Sequence, residues 1–301
     1  DWTELYRKLT FWESELEKSD DRSMAEIFSM QENEANQAFV KFVTRNYLGW
    51  LDQNNPGDPV LSHSLFPKKI LPLVSPGRPL FLILIDNMRY DQWKTISAEL
   101  SGLFRIVDED IWFSILPTVT QYSRNAIFAG LMPLRIEEIM PRFWINDDEE
   151  EGKNNFEEEL FRSQLSRKNL SYRWSYNKIS SSTESRKINE KMRQMLDNDL
   201  NILVYNFVDM LSHARTEIGL IRDLAEDEKA YRSLIRSWFI HSSLFELLKM
   251  LSEHRARIVF TTDHGTIRVQ NPVRVVGDRK TSTNLRYKMG KNLDYDPSDV
   301  F

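Results

Sequence analysis

Apolar residues change their period along this chain. Trp2, Leu5, Leu9, Trp12 and Leu16 recur at helical spacing, and so do Ala35, Phe39, Phe42 or Val43, and Tyr47. Each set lines one face of an α-helix. Ser19, Asp20 and Asp21 lie between the two sets as turn and cap residues. Two breakers follow, "LDQNNPGDP" at 51–59 and "SPGRP" at 75–79. Together these features predict a helical bundle and linker over 1–75, packed without chemistry of its own.

From Pro79 the period changes. "PLFLILID" is a continuous apolar run ending in a carboxylate, as a strand buried on both faces of a parallel sheet requires. "NILVYNFVD" at 201–209 and "ARIVFTTDHG" at 256–265 follow, separated by long helical patterns such as 226–253. The expected fold class is therefore α/β, a mostly parallel sheet flanked by helices over 76–301 and preceded by the small helical bundle. In such a sheet, ligands bind at the carboxyl ends of the strands. Residues 131–200 read as an insertion between core strands that caps a site. Within it, the acidic run "NDDEEEGKNNFEEE" at 146–159 reads as a solvated loop and helix start.

Composition narrows the chemistry. There is no cysteine among the 301 residues, so disulfides and thiolate metal sites are excluded and any metal must sit on histidines and carboxylates. The absence of cysteine fits a reducing compartment, and the expected location is cytoplasmic. A net charge of −5 argues against coating nucleic acid by bulk electrostatics. No run of about 20 apolar residues is present to span a bilayer, so no membrane partner is expected. The chain opens on Asp1 and closes on Phe301 after "DYDPSDV", which reads as an excerpt truncated at its C-terminus.

Three strand ends carry the same signature: Asp86 in "LILIDNMRYD", Asp209 and His213 in "FVDMLSHAR", and Asp263 and His264 in "TTDHG". Alone, each reads as a helix cap or a turn. Three in succession point to carboxylates and imidazoles converging on a divalent cation. Between the first two lies "LPTVTQYSRNAIFAG" (116–130), an extended segment with Thr118 and Thr120 before a helix. A hydroxyl there points into the same cleft and the helix start favours an anion; the competing reading makes either threonine the N-cap. Residues 273–291 hold Arg274, Arg279, Lys280, Arg286 and Lys288 with Tyr287 among them. That segment reads either as a solvated loop or as a groove for phosphates with an aromatic for stacking.

In this order and spacing, "IDNMRYD", "PTVTQYSRNAIFAG", "FVDMLSHAR" and "TTDHG" resemble the alkaline-phosphatase superfamily in its PglZ branch. The preceding helical region "MAEIFSMQENEANQAFVKFVTRNYLGWL" resembles a response regulator associated with type IX secretion. The resemblance implies that Asp86, Asp263 and His264 hold one metal beside the oxygen of Thr120, and that Asp209 and His213 hold a second. It implies Thr120 as the nucleophile. Arg124, one helical turn on, reaches either the nucleophile or a phosphoryl oxygen, or else forms a surface salt bridge; the related sulfatases also carry Ser-Arg at this spacing. Asn87, Arg279, Lys280, Arg286 and Tyr287 are the expected substrate contacts. Zn²⁺ suits such ligands and Mn²⁺ is tolerated. The family's further histidine for the second metal is missing after His264, so that site is expected to be incomplete, its last ligand lying beyond Phe301.

Two functions follow. The first is a metal-dependent phosphodiesterase acting on nucleotides or oligonucleotides, as the output domain of a two-component response regulator with a receiver domain upstream. The second is a regulatory module that contacts a sigma factor or other transcription factor, or forms a homodimer, with a weak or unused hydrolytic site.

Overall fold

The apolar runs at 80–85, 200–205 and 257–261 become strands, and their order decides which polar residues meet. The computed structural model describes all residues except 20, 21, 53, 54, 147–151, 268, 270, 271, 283 and 301. The turn residues Asp20 and Asp21 and part of the acidic run therefore lie outside the described residues. Four parallel strands form one sheet in the order β2-β3-β1-β4: β1 (Leu80–Ile85), β2 (Trp174–Ile179), β3 (Leu200–Tyr205) and β4 (Arg257–Thr261). Leu80 pairs with Leu200 on one side and Arg257 on the other, which places the carboxyl ends of β1, β3 and β4 along one edge.

β1 is apolar throughout because both of its faces are covered. Phe81, Ile83 and Ile85 face one core and Leu80, Leu82 and Leu84 the other, the period of two that a strand imposes. The helices are α1 (Trp2–Leu16), α2 (Arg22–Leu51), α3 (Tyr90–Glu99), α4 (Thr120–Ala129), α5 (Pro133–Ile139), α6 (Glu157–Arg167), α7 (Ser182–Met195), α8 (Phe207–Glu217), α9 (Gly219–Leu224), α10 (Glu228–Ile240) and α11 (Ser243–Ser252). Ile96, Ile188, Val208, Ile235 and Leu247 cover the first face. Ile127, Phe128, Leu160 and Phe161 cover the second, joined there by Leu65, Phe66, Ile70 and Leu71 from the segment ahead of β1. The expected α/β class, with a parallel sheet flanked by helices, is what forms.

Two details differ from the sequence reading. β4 is an edge strand and only half-buried, whereas β1 and β3 are buried throughout. β2 was not among the expected strands. Its "WSYNKI" lacks a continuous apolar run, and the strand is only partly buried up to Ile179. Residues 131–200 thus supply this strand as well as α6, which packs on α4.

The N-terminal helices lie against the domain. Trp2 packs on Phe39 and Phe42 at 5.3 and 5.5 Å. Phe39 and Trp50 of α2 stack on Phe113, and the Tyr47 hydroxyl accepts the Leu116 amide at 2.7 Å. Arg232 of α10 clamps α1 by pairing with Glu17, with Glu13 at 3.5 Å and with Asp91 at 2.8 Å.

Candidate functional site

The sheet edge carries a buried charge cluster. Asp86 follows β1 directly, and Asp263 and His264 follow β4 after one residue; their exposures are 2%, 0% and 6%. One ligand atom from each lies within 4.8 Å of the others. Among the described residues, this is the group of His, Asp and Glu side chains close enough to share a cation. His264 Nε2 stands 3.8 Å from Asp86 Oδ1 and 3.8 Å from Asp263 Oδ2. Thr120 Oγ1 completes the group, 3.0 Å from His264 Nε2 and 3.4 Å from Asp86 Oδ1.

Local structure holds these groups still. Val119 occupies the N-cap of α4, so Thr120 is its first helical residue and neither threonine is the cap. Ser123, one turn on and fully buried, donates to the Asp263 carbonyl at 2.7 Å. Thr262 Oγ1 accepts the Met88 amide at 3.0 Å and donates to the His264 carbonyl at 2.7 Å, tying the ends of β1 and β4 together.

The charges do not balance. Arg124 is 1% exposed; its Nη1 donates to Asp86 and its Nε to Glu157, each at 2.5 Å, and Asp263 lies 4.0 Å away. One guanidinium thus faces three buried carboxylates, with Lys178 3.9 Å from Glu157 and partly exposed. Burial, and then the neighbouring Asp263, push the Asp86 carboxyl up to about 6; burial also raises Asp263. Burial lowers His264 to about 4, leaving a neutral imidazole ready to act as a ligand. Asp263 Oδ2 is buried without a hydrogen-bond partner. A divalent cation fits this set of donors, because it would satisfy that oxygen and neutralise the excess negative charge.

Asp209 and His213 sit differently. They lie on the first turns of α8, past the end of β3 rather than on it. Asp209 Oδ2 is 3.6 Å from His213 Nε2, but the His213 side chain is 67% exposed. Burial and then Asp86 raise the Asp209 carboxyl, which marks it as a neighbour of the cluster. Asn87 lies between them: its backbone amide donates to Asp263 Oδ1 at 3.2 Å and its side chain to Asp209 Oδ1 at 3.1 Å.

Of the basic segment, Arg286 arrives at the site. Its Nη1 donates to the Thr118 carbonyl and to Thr118 Oγ1 at 3.1 Å, and lies 3.4 Å from His264 Nδ1. Tyr287 packs edge-on to Tyr122, two residues after Thr120, at 5.7 Å. Arg279 and Lys280 are exposed, at a turn around Asp278. Sequence reasoning missed Glu157. It falls in the acidic run read as solvated, yet it is 1% exposed and bonds Arg124 and the Tyr176 hydroxyl. The available signal was its place at the start of α6, just before the apolar Leu160 and Phe161.

Residues 65–301 match the BREX system PglZ alkaline phosphatase-like domain. Residues 1–51 match the PorX response regulator linker domain. No curated protein matches the chain.

Proposed function

The chain belongs to the PglZ alkaline phosphatase-like domain family, and from that premise we propose that it is a metal-dependent phosphodiesterase acting on nucleotides or oligonucleotides. The observation that carries the reading is the Thr120 hydroxyl set against the buried, over-negative Asp86–Asp263–His264 cluster. Those three residues would hold one cation, Zn²⁺ or Mn²⁺, while Asp209 and His213 would contribute to a second. A bound divalent cation supplies the positive charge that makes a hydroxyl nucleophilic near neutral pH.

The chain's own residues do the rest. Thr120 Oγ1 attacks phosphorus and gives up its proton, and the leaving oxygen departs and takes up a proton. Water then cleaves the threonine–phosphorus bond of the nucleotidyl-threonine to release the product phosphate ester. Arg124, bonded to Asp86 through Nη1 and to Glu157 through Nε, holds Asp86 in place rather than meeting the substrate. Arg286, at the open side beside Thr118 and His264, is the cation placed for a phosphoryl oxygen. Tyr287 offers a ring face near a neighbouring base, and Arg279 and Lys280 would meet more distant phosphates. The PorX linker match favours an output role behind a receiver domain.

Turnover of bis-p-nitrophenyl phosphate against p-nitrophenyl phosphate tests the reading. The diester should be preferred, and Thr120→Ala should abolish turnover of both. Faster hydrolysis of the monoester overturns the diesterase assignment. The same linker match supports a second reading, a regulatory module that binds a transcription factor or dimerises. Retention of regulatory output in cells by Thr120→Ala would favour it.

A further inference from the structure

Asn87 bonds both Asp263, within the cluster, and Asp209, beside it. Its backbone has φ 62°, in the left-handed region where non-glycine residues are uncommon and asparagine is among those best tolerated. In that conformation its amide N–H meets Asp263 Oδ1 and its side-chain NH₂ meets Asp209 Oδ1. It is 3% exposed, and its own Oδ1 is buried without a partner. One oxygen of each carboxylate is therefore occupied. The oxygens left are Asp263 Oδ2, unpartnered and facing His264 Nε2, and Asp209 Oδ2, facing His213 Nε2.

We propose that Asn87 is a positioning residue that makes Asp263 and Asp209 one-oxygen ligands of two separate cations and fixes the spacing between them. The inference rests on the two-cation reading above and adds the device that keeps the cations apart. A carboxylate free to turn could offer both oxygens to one ion, or bridge two. Two hydrogen bonds from this buried residue, one from a strained backbone and one from its side chain, prevent this. The His264 amide also donates to Asp263 Oδ1 at 3.0 Å. The flanking sequence agrees, since Asn87 directly follows Asp86 and so links Asp86, Asp209 and Asp263 at one point. Partners of metal ligands in this outer position typically change affinity by about 10- to 100-fold when lost.

Glycine at this position separates the positioning role from the backbone strain. Asn87→Gly keeps the amide to Asp263, accepts a positive φ without penalty, and removes only the bond to Asp209. Asn87→Ala removes the same bond while retaining the strain. The chelator-treated chain and both variants are titrated with Zn²⁺ by calorimetry, and the metal-free thermal midpoint of each is measured. Asn87→Gly should bind its first Zn²⁺ equivalent as the wild type does and its second about 10- to 100-fold more weakly. Its midpoint should not fall below that of Asn87→Ala. If both equivalents bind Asn87→Gly as tightly as the wild type, the proposal is overturned. It also fails if the first equivalent weakens as much as the second, because Asn87 then merely supports the loop. If the wild type takes up one equivalent and Asp209→Ala does not alter it, the two-cation reading is overturned instead.

Discussion

The ends of β1 and β4 and the first turns of α8 supply the same kinds of side chain in opposite settings. Asp86, Asp263 and His264 are enclosed, crowded by Glu157 and served by one guanidinium. The Asp209 and His213 side chains are 23% and 67% exposed, and water can satisfy both. Residue type alone therefore does not make a metal site. Enclosure sets how strongly a carboxylate demands a cation, because one buried without a counter-charge cannot turn to water, while one that water reaches can.

The sharpest way to break this comparison is to remove one carboxylate from each setting. Asp263→Ala should strip most of the bound metal and lower hydrolysis by the order of 10⁴-fold or more, comparable to losing an essential catalytic group. Asp209→Ala should leave the cation of the enclosed site bound. Elemental analysis of the purified wild type and both variants decides, and greater loss from Asp209→Ala would show that the complete site has been assigned to the wrong residues.

The next largest effect concerns the cation already inside the enclosed cluster. Arg124→Met leaves Asp86 and Glu157 buried without their partner and should cost about 3–5 kcal/mol of stability. Chemical denaturation measures it. Adding Glu157→Gln should recover part of the loss, since it removes one of the stranded charges.

A smaller effect appears with pH in chelator-treated protein. Asp86, raised by burial and by Asp263 to about 6 from an ordinary 3.8, keeps a proton in the folded state that the unfolded chain has lost. Folding therefore becomes less favourable as pH rises from about 4 through about 6, by at most about 1.4 kcal/mol per pH unit for this group. Asp86→Asn should flatten that slope. Asp91 and Glu228 work in the other direction. Burial opposes their charge, but arginine partners override it and hold both low. Their contribution is lost only as pH falls below their ordinary range, and both are present in wild type and variant alike. Thermal midpoints at about pH 4 and about pH 7 give the difference, and an unchanged slope in Asp86→Asn would show that the charge excess lies elsewhere.

The smallest effect belongs to the open setting. His213→Ala should shift metal-free stability by no more than about 0.5 kcal/mol, as exposed substitutions do. A larger loss would mean that α8 relies on this imidazole.

The strands at 80–85 and 200–205 and the helices around them were legible in the sequence because burial on both faces demands an unbroken apolar run, and such runs are local. So was the position of Asp86, Asp263 and His264, since polar residues at or just past the end of an apolar strand lie at the sheet edge. β2 was hidden because a partly exposed strand can carry polar residues and needs no such run. Glu157 was hidden because the same acidic letters describe a solvated loop and a buried counter-charge; only the packing of α6 on α4 brings it to Arg124. Likewise, Asp209 and His213 carry the same letters as a buried site, and it is the placement of α8 that leaves them open. Periodicity and strand-end residues are properties of neighbouring positions along the chain. Burial and charge balance depend on which distant segments close over a side chain, and that is decided only when the parallel sheet sets its strand order.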